Sequence, residues 1–399
     1  MTIRRALAVV LPGFASVAVV AALAGSAVAL HVRSTAHLAA SGHATSSPSP
    51  TPLPMVMPKL AYTLPANQQT PSFLGADPKR RGVWFITGTD SGTSIVYVSV
   101  NPSQDRRYSL HAYYPLGVAG GIAVASDGTV WAGLNMVLIH LNPTNGVVTT
   151  FRIPTPGDSA AAETYNPASV KGTHFVTAVA VTGTDTVALA IEDADQLVVF
   201  HAGRFADWSL PRNTVPEDVA YLDDGTLGVT LADFNTHHRD RLVTFTAGGT
   251  GSESPLVDVW NVVSTGTRFV TVTGQMLIFN ARAQLTATVP FVPAIRPSPI
   301  DISALGILPD GTLMMAGWDG VIVANLSGGM TIDLRFPRVT RPDLSSISPP
   351  VGAPTMTPYP AGYRCTQAPE LVASDGAGDV WMTLGNPSEI DLLERVGAK

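Results

Sequence analysis

Cysteine is almost absent from the 399-residue chain: Cys365 is the only one. A single thiol excludes an intrachain disulfide framework and any multi-cysteine metal site, and it reads as a buried spectator. Charge is scarce too. Only 14% of residues are charged, and the net charge of −6 lacks the clustered basic patch of a nucleic-acid surface. The chain has no Gly-x-Ser-x-Gly elbow, no phosphate-binding loop and no zinc-spaced His/Cys cluster. Gly120-Gly121 enters a strand directly, with no helix behind it to receive a phosphate.

What is abundant is turn-forming and apolar. With 36 Gly, 32 Pro and 45% hydrophobic residues, the composition fits an all-β protein. The chain exceeds the usual single-core length unless it is a barrel or a repeat. Arg4 and Arg5 precede an uncharged run, Ala6 to Leu30, with Ala27-Val28-Ala29 as a possible cleavage site. The length of the run favours a retained apolar anchor helix over a cleaved signal, with the remainder of the chain facing outward. Residues 31–58, including SSPSPTPLP, read as a Ser/Thr/Pro linker. Its histidines, His31, His37 and His43, are solvated rather than metal-binding, because such a segment fixes no ligand geometry.

Residues 121–154 read as one four-stranded antiparallel unit. Ile122–Ala125 is the innermost strand, Asp127-Gly128 a tight turn, Val130–Gly133 the second strand and Val137–Leu141 the third. Asn142 to Gly146 turns again, and Val147–Ile153 is the outer strand. Such a sheet closes no core alone, so copies are expected. Second-strand anchors fall at Trp84, Trp131, Ala188, Gly228, Phe269, Met314 and Trp381, at intervals of 47, 57, 40, 41, 45 and 67 residues. Asp127-Gly128-Thr129 returns as Asp224-Gly225-Thr226 and Asp310-Gly311-Thr312. This period predicts a seven-bladed β-propeller over residues 59–399, with the large anchors packed between blades.

Closure is predicted as well. Too little chain follows Trp381 for a fourth strand after Glu389–Val396. Lys59–Pro65 matches the pattern of Val148–Pro154 and can supply it, sealing the ring within one chain and removing exposed edges. A monomer is therefore expected. The two long intervals hold insertions at 155–173 and at Pro-rich 338–367, both between an outer strand and the next inner one. The end of the propeller that carries them is the expected site.

Ser126-Asp127-Gly128-Thr129-Val130-Trp131, and the run from Asn142-Pro143 through Gly146 to Pro154, resemble the repeat of the streptogramin B (virginiamycin B) lyases. Val83–Thr87 and Val380–Thr383 echo it. The resemblance implies seven blades, an axial cavity, and a magnesium ion with a histidine base that opens a cyclic depsipeptide by elimination. The residues of that chemistry do not carry over. The positions where the family can hold its histidine are Phe73, Gly120, Thr177, Glu217, Asp258, Ser303 and Glu370. Thr87, Leu134 and Leu384 stand where its carboxylate commonly follows a Trp-Phe-Thr triplet.

Glu217, Asp258 and Glu370 nevertheless share one repeat position, and equivalent positions lie on a ring about the axis. They are candidates to converge on magnesium or calcium, with Asp218, Glu192 and Asp233 near the same face. His237-His238 follows Asp233 in a loop between second and third strands. Neighbouring side chains point apart, so one of the two, taken as His238, faces the axis. Trp318 is the aromatic candidate for a ligand, whereas His111, His140, His174 and His201 lie in or beside strands and read as packed or exposed. Two functions compete: an extracytoplasmic module binding a small molecule or a protein at the loop end, and a metal-dependent lyase. The missing base favours the binding module.

Overall fold

The computed structural model describes residues 59–65, 68, 71, 73–89, 92–110, 119–154, 176–191, 195–211, 213–233, 240–249, 251–255, 259, 261–272, 275–290, 302–317, 320–324, 369–384 and 389–394. All belong to one compact unit, Pro52–Lys399. Strand β1 (Lys59–Thr63) stands apart from the order that follows. The first sheet is β2 (Gly75–Ala76), β3 (Gly82–Thr89), β4 (Gly92–Ser99) and β5 (Arg106–Ser109). The second is β6 (Ala119–Val124), β7 (Val130–Leu134), β8 (Val137–Asn142) and β9 (Val147–Arg152). The third is β10 (Val176–Thr182), β11 (Thr186–Ile191), β12 (Gln196–His201) and β13 (Arg204–Trp208).

The fourth holds β14 (Thr214–Tyr221), β15 (Leu227–Asp233), β16 (Arg241–Phe245) and β17 (Gly251–Glu253). The fifth holds β18 (Val263–Ser264), β19 (Phe269–Val272), β20 (Gln275–Phe279) and β21 (Leu285–Pro290). Strands β22 (Ile302–Ile307), β23 (Leu313–Gly317) and β24 (Gly320–Ala324) make a sheet of three. The last blade is β25 (Pro369–Ser374), β26 (Val380–Leu384) and β27 (Glu389–Leu393), completed by β1. Every pairing is antiparallel, and within a blade consecutive strands are joined by short turns, β1 with β27 being the pair that is not.

The expectation of seven four-stranded blades is corrected: six sheets have four strands, and the Met314 copy contributes three among the described residues. No α-helix occurs among those residues, only a 3-10 turn at Pro102–Gln104, and none of their helices is long and apolar enough to cross a membrane. The apolar helix expected over Ala6–Leu30 lies outside them.

The repeat turns form for a local reason. Gly128 adopts φ +90, which a side chain would strain, while the Asp127 carboxylate accepts from the N–H and hydroxyl of Thr129. The same carboxylate-to-backbone bond recurs from Thr226 to Asp224 and from Thr312 to Asp310. The anchors pack between blades, as expected. Trp84 clusters with Ile122 and Val130 of the next sheet, Trp131 with Val187 and Leu189, and Trp381 with Val83 and Phe85.

Closure follows the predicted pairing. Lys59 faces Leu392, Leu60 faces Asp391 and Thr63 faces Glu389. Across the seam, Arg81 clasps the fully buried Asp379 with two bonds, Nε to Oδ2 at 2.6 Å and Nη2 to Oδ1 at 3.0 Å. The Gly376 N–H donates to the Asp77 carbonyl, binding the last blade to the first a second time. Asp77 and Asp375 each receive the indole N–H of their own blade's tryptophan, Trp84 and Trp381.

Candidate functional site

In a four-stranded up-and-down blade, the loops between second and third strands share one end with the connections between blades. The innermost strands begin at that end, and there, among the described residues, five of them break register. The extra residue lies between Ala119 and Ile122, Val176 and Ala178, Pro216 and Asp218, Ile302 and Ala304, and Pro369 and Leu371. These bulges fall at Gly120, Thr177, Glu217, Ser303 and Glu370, which the repeat alignment had placed on one ring. A bulge leaves its extra residue outside the ladder and re-aims the strand. The innermost strand is also a sheet edge, which is where Pro216 and Pro369 can stand without costing a ladder bond.

Two innermost strands approach closely at Gly120-Gly121. A Cβ on Gly120 would lie 2.1 Å from the Val176 carbonyl oxygen, and one on Gly121 would lie 2.3 Å from the Val179 nitrogen. Two innermost strands therefore meet backbone to backbone. The pair serves close approach between blades rather than phosphate binding.

Glu217 sits half-buried in the β14 bulge. Its neighbour Asp218 is committed to the main chain. The Asp218 N–H donates to Thr230 Oγ1 at 3.0 Å, while Oδ1 accepts from Val219 N–H at 2.8 Å. Oδ2 accepts from Val262 N–H, at the entrance to the next blade, at 2.9 Å. The residue keeps some surface but the carboxylate is enclosed. Burial pushes its pKa up to about 6, against the pull of the Val262 and Val219 N–H groups. Asp218 thus pins two blades together beside Glu217.

The other sequence candidates divide by what is described. Glu370 occupies the β25 bulge and Asp233 ends β15 opposite Thr214. Glu192, Asp258, His238 and Trp318 lie outside the described residues. Among the described residues no group of three or more His, Cys, Asp or Glu is placed to hold a metal ion. His140 stacks on Trp131 with ring centroids 4.1 Å apart, and burial lowers its pKa, so it is packing. His201 is exposed, with Nδ1 2.7 Å from the Thr186 hydroxyl.

Two polar residues at this end escaped the sequence reading. Gln196 opens β12 at 2% exposure, and Asn135 fills the β7–β8 turn at 9% exposure with φ +51. Gln196 Nε2 and Oε1 and Asn135 Oδ1 are buried without a hydrogen-bond partner among the described residues. The one available signal was a glutamine heading an otherwise apolar run, Leu197 to Phe200.

The architecture defines the class: a β-propeller. No family model matches the chain, and no curated protein matches it. Solved propellers do match. The chain is similar to the WD40 repeats of RRP9 (TM-score 0.56, 8% identity), with 84% of this chain and 99% of that one covered. It is similar to a chain of the mitotic checkpoint complex (TM-score 0.52, 10% identity, 92% and 100% covered). A third likeness is to the extracellular domain assigned to a hybrid two component system of B. thetaiotaomicron (TM-score 0.51, 13% identity). There the match spans 84% of this chain and 39% of the other. At such identities the shared property is the fold.

Proposed function

We propose that this chain is a binding propeller that engages a protein partner at the end where its innermost strands begin, outside the cytoplasm. One observation carries the reading. The five bulges put Gly120, Thr177, Glu217, Ser303 and Glu370 at one scaffold position, so the residue type there changes from blade to blade on one frame. Variation of that kind suits recognition, and the histidine that the resembled lyases use as base has no counterpart at these positions. Support comes from the similar folds, one of which belongs to a multi-protein complex and another of which is an extracellular domain. The uncharged run Ala6–Leu30 behind Arg4 and Arg5 supports presentation at the outer face of a membrane. Recovery of the protein in the medium, with its N-terminus near Leu30, would leave a secreted form instead.

A photo-crosslinking amino acid placed at Glu217 or at Asp224, in the full chain in its own cells, tests the site. Asp224 lies in a turn at the opposite end of the same blade. The expected outcome is a discrete adduct from position 217 and none from 224. Equal labelling from both, or labelling from 224 alone, overturns the assignment. Magnesium-dependent opening of a cyclic depsipeptide by the purified chain would replace binding with the lyase chemistry that the sequence resembles.

A further inference from the structure

Asn145 is the one asparagine of the chain that is followed by glycine. The two residues stand in the β8–β9 turn, and both are exposed. Gly146 adopts φ +72, so the turn favours glycine there, and the same choice leaves the Gly146 nitrogen with no side chain beside it. The Asn145 side chain is folded back along the main chain, where Oδ1 accepts from the Val147 N–H at 3.0 Å. That bond closes a ring over Gly146. It also points a donor at the oxygen on which charge develops when the amide carbon is attacked.

One bond opposes attack. The Gly146 N–H donates to the Asn142 carbonyl at 2.9 Å and has to give this up before its nitrogen can react. Bonds at an exposed hairpin end open locally, far below the cost of global unfolding. The other described asparagines each lack a part. Asn101 and Asn142 precede proline, which has no N–H to lose. Asn135 is buried and precedes Met136. Asn213, Asn261 and Asn280 precede Thr214, Val262 and Ala281, whose side chains crowd the nitrogen, and the Val262 N–H is held by Asp218.

We propose that Asn145 is a self-modifying site, at which the Gly146 nitrogen attacks the side-chain amide carbon and closes a cyclic imide. The amide nitrogen leaves as ammonia, taking the Gly146 proton. Water then opens the imide to aspartate or isoaspartate, so one negative charge is gained and nothing is oxidised or reduced. The isoaspartate form routes the main chain through Cβ and lengthens the turn by one atom. It does so beside the contact with the preceding blade, where the Tyr108 hydroxyl donates to the Pro143 carbonyl at 3.3 Å. The turn lies at the end of the blade opposite the bulges, so the reaction is independent of a partner bound there.

The full chain, folded in detergent, is incubated at pH 7 and at pH 8.5 and then digested. Peptides are read for the amide-to-acid mass change, and for isoaspartate by methyltransferase labelling. Conversion is expected at Asn145 about tenfold or more faster than at any other described asparagine, and faster at the higher pH because the nitrogen must lose its proton. Gly146→Ala should slow it by a similar factor. The comparison among wild-type asparagines stands even where that variant fails to fold. Conversion at Asn145 no faster than elsewhere overturns the proposal. So does conversion that occurs in urea and not in the folded protein, since the Asn142 bond would then block the reaction.

Discussion

Asp218 is under two opposed influences, enclosure and hydrogen bonding, and enclosure prevails. Its folded pKa of about 6 stands above the ordinary 3.8, so the folded state takes up this proton first. Its contribution to stability is complete below about pH 4 and is lost as pH rises through 6. The loss of unfolding free energy between pH 4.5 and 7.5 should be smaller in Asp218→Asn by an amount on the order of 2 kcal/mol. Urea titrations of both proteins at the two pH values check this, and an unchanged difference would show that Asp218 titrates normally. His140 acts in the other sense. Burial lowers its pKa, so its contribution is lost as pH falls through the ordinary imidazole range, which is why the variant must be compared at both ends. The sequence presented Asp218 as one more acid near a loop. That its second oxygen meets the Val262 N–H, 44 positions on, depends on how two blades abut, and no local pattern records it.

At the scale of the strand and turn, more was legible. Asp-Gly-Thr fixes its own conformation, so three of its copies could be found without tertiary information. The anchors followed, and the absence of a side chain at the Gly228 anchor has a tertiary cause: a Cβ there would lie 2.5 Å from the Phe269 ring of the next blade. The repeat position on the ring was legible, the bulge at that position was not. A bulge adds a residue to the ladder without requiring a particular residue type, apart from positions of close approach. Gly120 is one of these, and Gly120→Ala drives a methyl into the Val176 carbonyl. A loss of about 2 kcal/mol or more is expected from the forced backbone shift, read from the urea midpoint. A wild-type midpoint would show that the two strands separate easily.

For the molecule as a whole, the meeting of the termini was visible because Lys59–Pro65 repeats the outer-strand pattern. The number of complete blades was not, since a second-strand anchor such as Met314 carries no information about whether a fourth strand follows. Arg81→Ala leaves the Asp379 carboxylate buried without its main counter-charge, for a cost of about 3 kcal/mol. Replacing Asp379 as well, by Asn, should recover part of that loss, and failure to recover any would deny the pair its role. Deleting residues 59–65 should lower the melting temperature of the entire domain in one transition, whereas melting like the intact protein would exclude β1 as a structural member.

The pairing of Lys59 with Leu392 also sets an order in time. The two partners stand about 330 positions apart, so loop closure makes this the most entropically delayed contact in the ladder. Strand β1 is the first to be synthesised and has to wait for β27, the last. Until the two pair, the edge of β1, and then that of β27, is an open template for another chain, and the protein is vulnerable to intermolecular pairing. Anything that holds β1 back lengthens the same interval, and removing β27 leaves β1 with no strand to pair with.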